Sequence, residues 1–90
     1  MTTINKAKLR RDIGAKLAQM FIDSGVEYTC TASVYSVIRD QANEEAIALV
    51  LAGVVISKSQ YDFNMIPCTR DILMSTAAKM VRRKYFALDI

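Results

Sequence analysis

Residues 46–56 read Ala-Ile-Ala-Leu-Val-Leu-Ala-Gly-Val-Val-Ile and contain no polar side chain. A helix built from this stretch is apolar around its whole circumference, so other elements must surround it. A chain of 90 residues has few elements with which to do so. The stretch therefore predicts an apolar helix, at about residues 44–58, in the centre of a compact bundle, with a second copy of the chain supplying part of the cover.

The side chains of this predicted helix differ in size from one side to the other. The smallest lie together on a helical wheel: Ala42, Ala46, Gly53 and Ser57. The bulkier ones lie opposite: Ile47, Val50, Leu51 and Val54. Because small side chains let another helix approach closely, we expect Ala46 and Gly53 to lie in an interface.

Two further helices are predicted from apolar periodicity and capping residues. The first runs from Lys6 to Asp23, with Thr3 or Asn5 as the N-cap and Ser24-Gly25 as the stop. The last begins after Thr69, which is a suitable N-cap, and continues toward Leu88.

The segment between the first helix and the apolar run is ambiguous. Its β-branched and aromatic residues favour strands, whereas the spacing of Val34, Val37 and Ile38 also suits a helix. We predict a short extended entry and then a helix capped by Thr31 or Ser33. Asn43 is a candidate N-cap for a separate helix, and the sequence leaves open whether the two helices are continuous.

The predicted fold is therefore an all-α bundle of three to four helices around the central apolar helix. It forms a single domain of residues 1–90, and we expect the protein to be oligomeric. The alternative is an α+β protein in which residues 28–34 and 49–56 are strands, since Val54, Val55 and Ile56 are β-branched.

Enzymatic chemistry has few candidate groups in this chain. There is no His, the commonest general base and metal ligand, and the three glycines are isolated rather than arranged in a phosphate-binding loop. Cys30 and Cys68 lie too far apart for a metal-ligand or redox motif. The carboxylates of Asp40, Glu44 and Glu45 suit the start of a helix. We expect a protein that is not an enzyme and uses no cofactor and no metal.

The location of the protein is predicted from two features. The apolar run is shorter than the roughly 20 residues that a helix needs to cross a bilayer. The chain does not open with a basic and then apolar leader. We expect a cytoplasmic protein without a membrane contact.

Basic residues are concentrated toward the two ends of the chain, while the middle is acidic, within a net charge of +3. Those of the first helix scatter around its circumference, which predicts an ordinary solvated face: Lys6, Lys8, Arg10, Arg11 and Lys16. In the last helix, Lys79, Arg82 and Arg83 share one face, and Phe86 falls on it one turn later. Because Arg and aromatic side chains often dominate binding energy, these four residues are the predicted partner-binding site.

The connector before the last helix is unusually apolar. Tyr61, Phe63 and Met65 lie in it, and we expect them to cover the core or to form an interface.

Three functions fit these features. The leading hypothesis is a non-catalytic adaptor or inhibitor, of the kind found among phage and mobile-element accessory proteins, that binds a larger protein partner and forms a homodimer or higher oligomer. The first alternative is a nucleic-acid-binding regulator that uses Lys79, Arg82 and Arg83 with help from Lys6, Arg10 or Arg11. The second alternative is an oligomeric sensor or sequestering protein for a small anionic ligand.

Overall fold

A computed structural model describes residues 5–56 and 65–88, with side chains as far as Tyr85. It contains three helices: α1 (Lys6–Asp23), α2 (Thr31–Leu51) and α3 (Met65–Leu88). No strand occurs in these two ranges. The prediction of an all-α bundle is confirmed, and the α+β alternative is wrong because residues 31–51 form one helix.

Helix α1 has the predicted bounds because its end signals are local. Asn5 is the N-cap, and its Oδ1 accepts a hydrogen bond of 3.1 Å from the Lys8 backbone N–H. Gly25 ends the helix with a φ of 77°, a left-handed conformation that glycine adopts without a steric penalty. Its N–H donates to the Ile22 carbonyl, which would otherwise lack a partner.

Helix α2 passes without a break through Asn43, so the two helices that the sequence left open are one, and the candidate N-cap at that residue is wrong. The helix begins at Thr31, with Cys30 as the N-cap, and the Ser33 Oγ accepts a hydrogen bond of 3.5 Å from the Cys30 N–H. Ser33 therefore contributes to capping from within the first turn, whereas the sequence had suggested it as the N-cap itself.

The apolar run is not a helix along its whole length, and the predicted helix at about 44–58 is wrong in both bounds. Helix α2 ends at Leu51, inside the run. Gly53 has a φ of 73°, its N–H donates to the Val50 carbonyl, and the Val54 N–H donates to the Leu49 carbonyl. These two hydrogen bonds form the Schellman motif that commonly ends a helix at glycine.

The run is also not buried on every side. The small residues Ala42 and Ala46 are fully buried in the bundle, while Ile47 is 37% and Leu51 is 82% exposed. Small side chains face inward because they let the three helices lie close together. Two of the four bulky residues, Ile47 and Leu51, are left on the surface, whereas Val50 and Val54 are half-buried.

Helix α3 begins at Met65, four residues before the predicted N-cap Thr69. Pro67 lies in the first turn, where a missing backbone N–H costs no hydrogen bond, so it does not prevent an earlier start. Thr69 is fully buried inside the helix rather than at its end.

Helices α2 and α3 run in opposite directions. Arg70 Nη1, near the start of α3, donates a hydrogen bond of 3.5 Å to Asn43 Oδ1 in α2. Tyr28, just before α2, packs on Tyr85 near the end of α3, with 5.3 Å between the ring centroids. The core between the helices is made of apolar side chains from all three, the fully buried ones of largest volume being Phe21, Leu17, Ile38, Leu73, Val34 and Val81.

Candidate functional site

A groove between α1 and α3 is the candidate site. Its cavity has a volume of about 550 Å³, and nine residues line it: Arg10, Arg11, Asp71, Ile72, Ser75, Thr76, Lys79, Met80 and Arg83. The α3 members recur every three or four residues from Asp71 to Arg83, so one face of that helix forms a wall about 18 Å long. A volume of this order can hold several side chains or a small ligand.

Gly14 lets α1 approach the part of α3 that lines this groove. A Cβ atom on Gly14 would lie 2.6 Å from the Thr76 Cγ2 and 3.2 Å from the Thr76 Cβ. The Thr76 hydroxyl donates a hydrogen bond of 2.8 Å to the Ile72 carbonyl one turn earlier in α3. The absence of a side chain at Gly14 is therefore what admits the Thr76 methyl group between the two helices.

Four cations converge on the groove. Arg10 and Arg11 come from α1, and Lys79 and Arg83 come from α3. Within the described part of the chain, none of these four side chains takes part in a hydrogen bond or an ion pair. Asp71 is the acidic lining residue, and its Oδ1 lies 3.4 Å from Arg70 Nε. The groove is thus a positively charged surface whose cations are available to an anionic partner.

Two other basic residues of α1 form ion pairs with carboxylates. Lys8 Nζ lies 2.9 Å from Asp12 Oδ2, one turn along the same helix. Lys16 Nζ lies 2.7 Å from Glu45 Oε1 of α2, which joins the two helices. Of the five basic residues of α1, two are therefore in ion pairs, two are the groove arginines, and Lys6 is exposed and belongs to neither group.

The structure separates the predicted partner-binding residues. Lys79 and Arg83 line the groove, whereas Arg82 is exposed outside its lining and has an interaction of its own. Phe86 belongs to α3, but its side chain lies outside the described residues. The predicted contact surface of these four residues stays a prediction.

Arg10 and Arg11 were assigned from the sequence to an ordinary solvated face, and only the nucleic-acid alternative placed them beside the basic residues of the last helix. A helical wheel describes one helix and cannot show that two of its outward side chains meet cations of another helix. The sequence signal that could have found them is Gly14. A glycine inside a helix lowers helix stability by about 1 kcal/mol relative to alanine, so its presence often marks a close contact with another helix.

The predicted interface residues lie in different environments. Ala46 is fully buried in the chain's own core and has no exposed surface to offer to a second chain. Gly53 is exposed in the turn after α2, and Met65 is half-buried at the start of α3. Tyr61 and Phe63 lie outside the described residues.

Cys30 has a chemical environment different from that of an ordinary surface thiol. It is exposed at the N-cap of α2. The backbone N–H of Ser33, then the Thr29 hydroxyl with its Oγ1 3.8 Å from Sγ, then the backbone N–H of Ala32 lower the pKa of the Cys30 thiol. Each of these donors stabilises the thiolate.

Among the residues at 5–56 and 65–88, no group of three or more His, Cys, Asp or Glu side chains is placed to hold a metal ion. None of the described helices combines the length and the apolar character needed to cross a bilayer. Comparison of the chain with protein-family models, with curated proteins and with solved structures found no match.

Proposed function

We propose that this protein is a non-catalytic interaction protein that binds an acidic segment of a larger protein in the groove between α1 and α3. The observation that carries the proposal is the convergence of Arg10, Arg11, Lys79 and Arg83 on one groove without partners among the described residues. Leaving four cations together is electrostatically unfavourable, and an anionic partner would remove that repulsion.

A protein segment fits the groove because its lining is mixed. Ile72 and Met80 offer apolar surface beside the cations, and Ser75 and Thr76 offer hydroxyl groups. Arginine guanidinium groups bind carboxylates through two parallel hydrogen bonds, which orients the partner. An acidic segment that also carries apolar side chains would use all of these groups, whereas a phosphate backbone would leave Ile72 and Met80 without a role.

The test uses a fluorescein-labelled synthetic helical peptide with Glu and Leu on one face, and its anisotropy is followed as protein is added. Arg83→Glu is expected to weaken binding about tenfold or more, because it replaces a charge-assisted hydrogen bond with a repulsion. Lys84→Glu is the matched control, since it makes the same change of charge on the next residue, which is exposed but does not line the groove. The affinity of this control variant for the peptide is expected to stay within about twofold of the wild-type value, because an exposed charge outside the contact contributes little.

Two results would contradict the proposal. The first is an equal effect of the two charge reversals, which would mean that overall charge and not the groove attracts the peptide. The second is tight binding of a DNA or RNA oligonucleotide, with a steep decrease as salt is raised, in the absence of peptide binding. That second result would identify a nucleic acid as the partner.

A further inference from the structure

The outward face of α2 carries a stripe of exposed acidic and apolar side chains. Asp40, Glu44, Ile47 and Leu51 follow one another at spacings of four, three and four residues, so they lie on one side of the helix. All four are exposed, and Leu51 is the most exposed of the large apolar residues in the described part of the chain. We call these four residues the α2 stripe.

The α2 stripe matches the α3 wall of the groove in length and in order. From Asp40 to Leu51 the helix rises about 16 Å, close to the 18 Å or so of the groove wall. When a helix bearing the stripe is laid antiparallel to α3, Asp40 lies opposite Arg83 and Glu44 lies opposite Lys79. The same register places Ile47 opposite Thr76 and Leu51 opposite Ile72. All four of these α3 positions line the groove.

The charges at the two ends of the groove favour the same direction of docking. In the antiparallel register, Asp71 lies at the Leu51 end of the α2 stripe. This end is about 18 Å along α3 from Arg83, so Asp71 is far from the two carboxylates of the stripe. In the parallel direction, the carboxylates would lie near Asp71 and the apolar residues near Lys79 and Arg83. Neither Asp40 nor Glu44 has a hydrogen bond or ion pair within the described residues, so both are available.

We infer that the occupant of the groove is a second copy of this chain, which inserts its α2 stripe antiparallel to α3. The two surfaces are formed by different helices and share no residue, so the contact is heterologous and head-to-tail. Each copy keeps a free groove or a free stripe, and the association continues into a ring or an open chain. The inference rests on the proposed function in that it uses the same groove, where the second copy and the acidic partner segment compete.

The test is a charge swap followed by analytical ultracentrifugation. The stripe variant is Asp40→Lys with Glu44→Lys, and the groove variant is Lys79→Glu with Arg83→Glu. The wild-type protein is expected to show a mass that rises with concentration and falls toward the monomer at high salt. Each variant alone is expected to stay a monomer, since its stripe and groove carry like charges. An equimolar mixture of the two is expected to assemble again.

Matched single variants show whether position matters more than net charge. Glu44→Lys is expected to weaken self-association about tenfold, whereas Glu27→Lys, which makes the same change at an exposed residue before α2, leaves it within about twofold. Circular dichroism confirms that each variant is folded. A wild-type monomer at millimolar concentration overturns the inference, as does a mixture of the two charge-swap variants that stays monomeric.

The inference and the proposed function can fail separately. The stripe variant keeps an intact groove that no second copy occupies, so it should bind the acidic peptide with an affinity independent of its own concentration. If it does not bind the peptide while the charge-swap mixture assembles, the proposed function fails and self-association stands. If the stripe variant binds the peptide while the wild type remains a monomer, self-association fails and the proposed function stands.

Discussion

Gly14 of α1 and Thr76 of α3 meet without room for another carbon atom, because a Cβ on Gly14 would lie 2.6 Å from the Thr76 Cγ2. Thr76 also lines the groove that carries the four cations. The helix contact that shapes the groove therefore depends on one missing side chain.

Gly14→Ala is expected to destabilise the protein by about 1–3 kcal/mol, the usual range for an overpacked contact, in spite of alanine's higher helix propensity. Chemical denaturation measures this change. Thr76→Ser removes the methyl group and keeps the hydroxyl that bonds to the Ile72 carbonyl. The double variant should therefore recover much of the loss, and a double-mutant cycle without coupling would show that the two residues do not clash.

Two leucines of α2, two residues apart, test which side of the apolar run is buried. Leu49→Ala is expected to cost about 2–4 kcal/mol, because Leu49 belongs to the core cluster. Leu51→Ala is expected to cost less than about 0.5 kcal/mol, since Leu51 is 82% exposed. Thermal unfolding at low protein concentration, which limits any contribution from the proposed self-association, compares the two. Equal losses would contradict the placement of the run.

Gly53→Ala is expected to destabilise the protein by about 1–2 kcal/mol, because alanine is strained in the left-handed backbone conformation of this residue. The φ of Gly53 is 73°, and no atom lies within 4 Å of a Cβ placed there, so a steric clash is excluded as the cause. Gly53→Asn should cost less, because asparagine tolerates the left-handed conformation better than alanine. Urea denaturation of the two variants measures the difference, and a larger loss for asparagine would argue against the turn.

Cys30 is expected to react faster with iodoacetamide in the folded protein than in the urea-unfolded protein near neutral pH. The donors from Ser33, Thr29 and Ala32 stabilise the thiolate, so the pKa is lowered and a larger fraction of the thiol is deprotonated at a given pH. Mass spectrometry of the Cys30 peptide across a pH series gives the midpoint in each state. Thr29→Val should move the folded midpoint upward, and an unchanged midpoint would show that the Thr29 hydroxyl has no effect.

Local signals explain which elements were predicted correctly. The bounds of α1 follow from Asn5 and Gly25, which act on backbone groups within four residues of themselves. Gly53 is an equally strong stop signal for α2, but it lies within an apolar run where hydrophobicity suggested a continuous helix. Pro67 concealed the start of α3, because a proline is compatible with either a loop or a first turn.

The candidate site could be predicted only in part. Lys79 and Arg83 are four residues apart on one helix, so their shared face follows from helical geometry alone. The contributions of Arg10 and Arg11 depend on how α1 packs on α3, and no periodicity within α1 contains that information. The exposure of Ile47 and Leu51 depends likewise on which face of α2 meets the other helices.

By itself, the sequence determined the bounds of α1 and favoured an all-α bundle over the α+β alternative, since capping and periodicity operate over a few neighbouring residues. Only the tertiary structure decided that Ala42 and Ala46 of α2 are buried, that Ile47 and Leu51 are exposed, and that cations from two helices share one groove. The physical reason is that burial and charge convergence arise between segments distant in sequence. At Gly14 and Thr76, the distance between two helices is set by side-chain volume at the point where they cross.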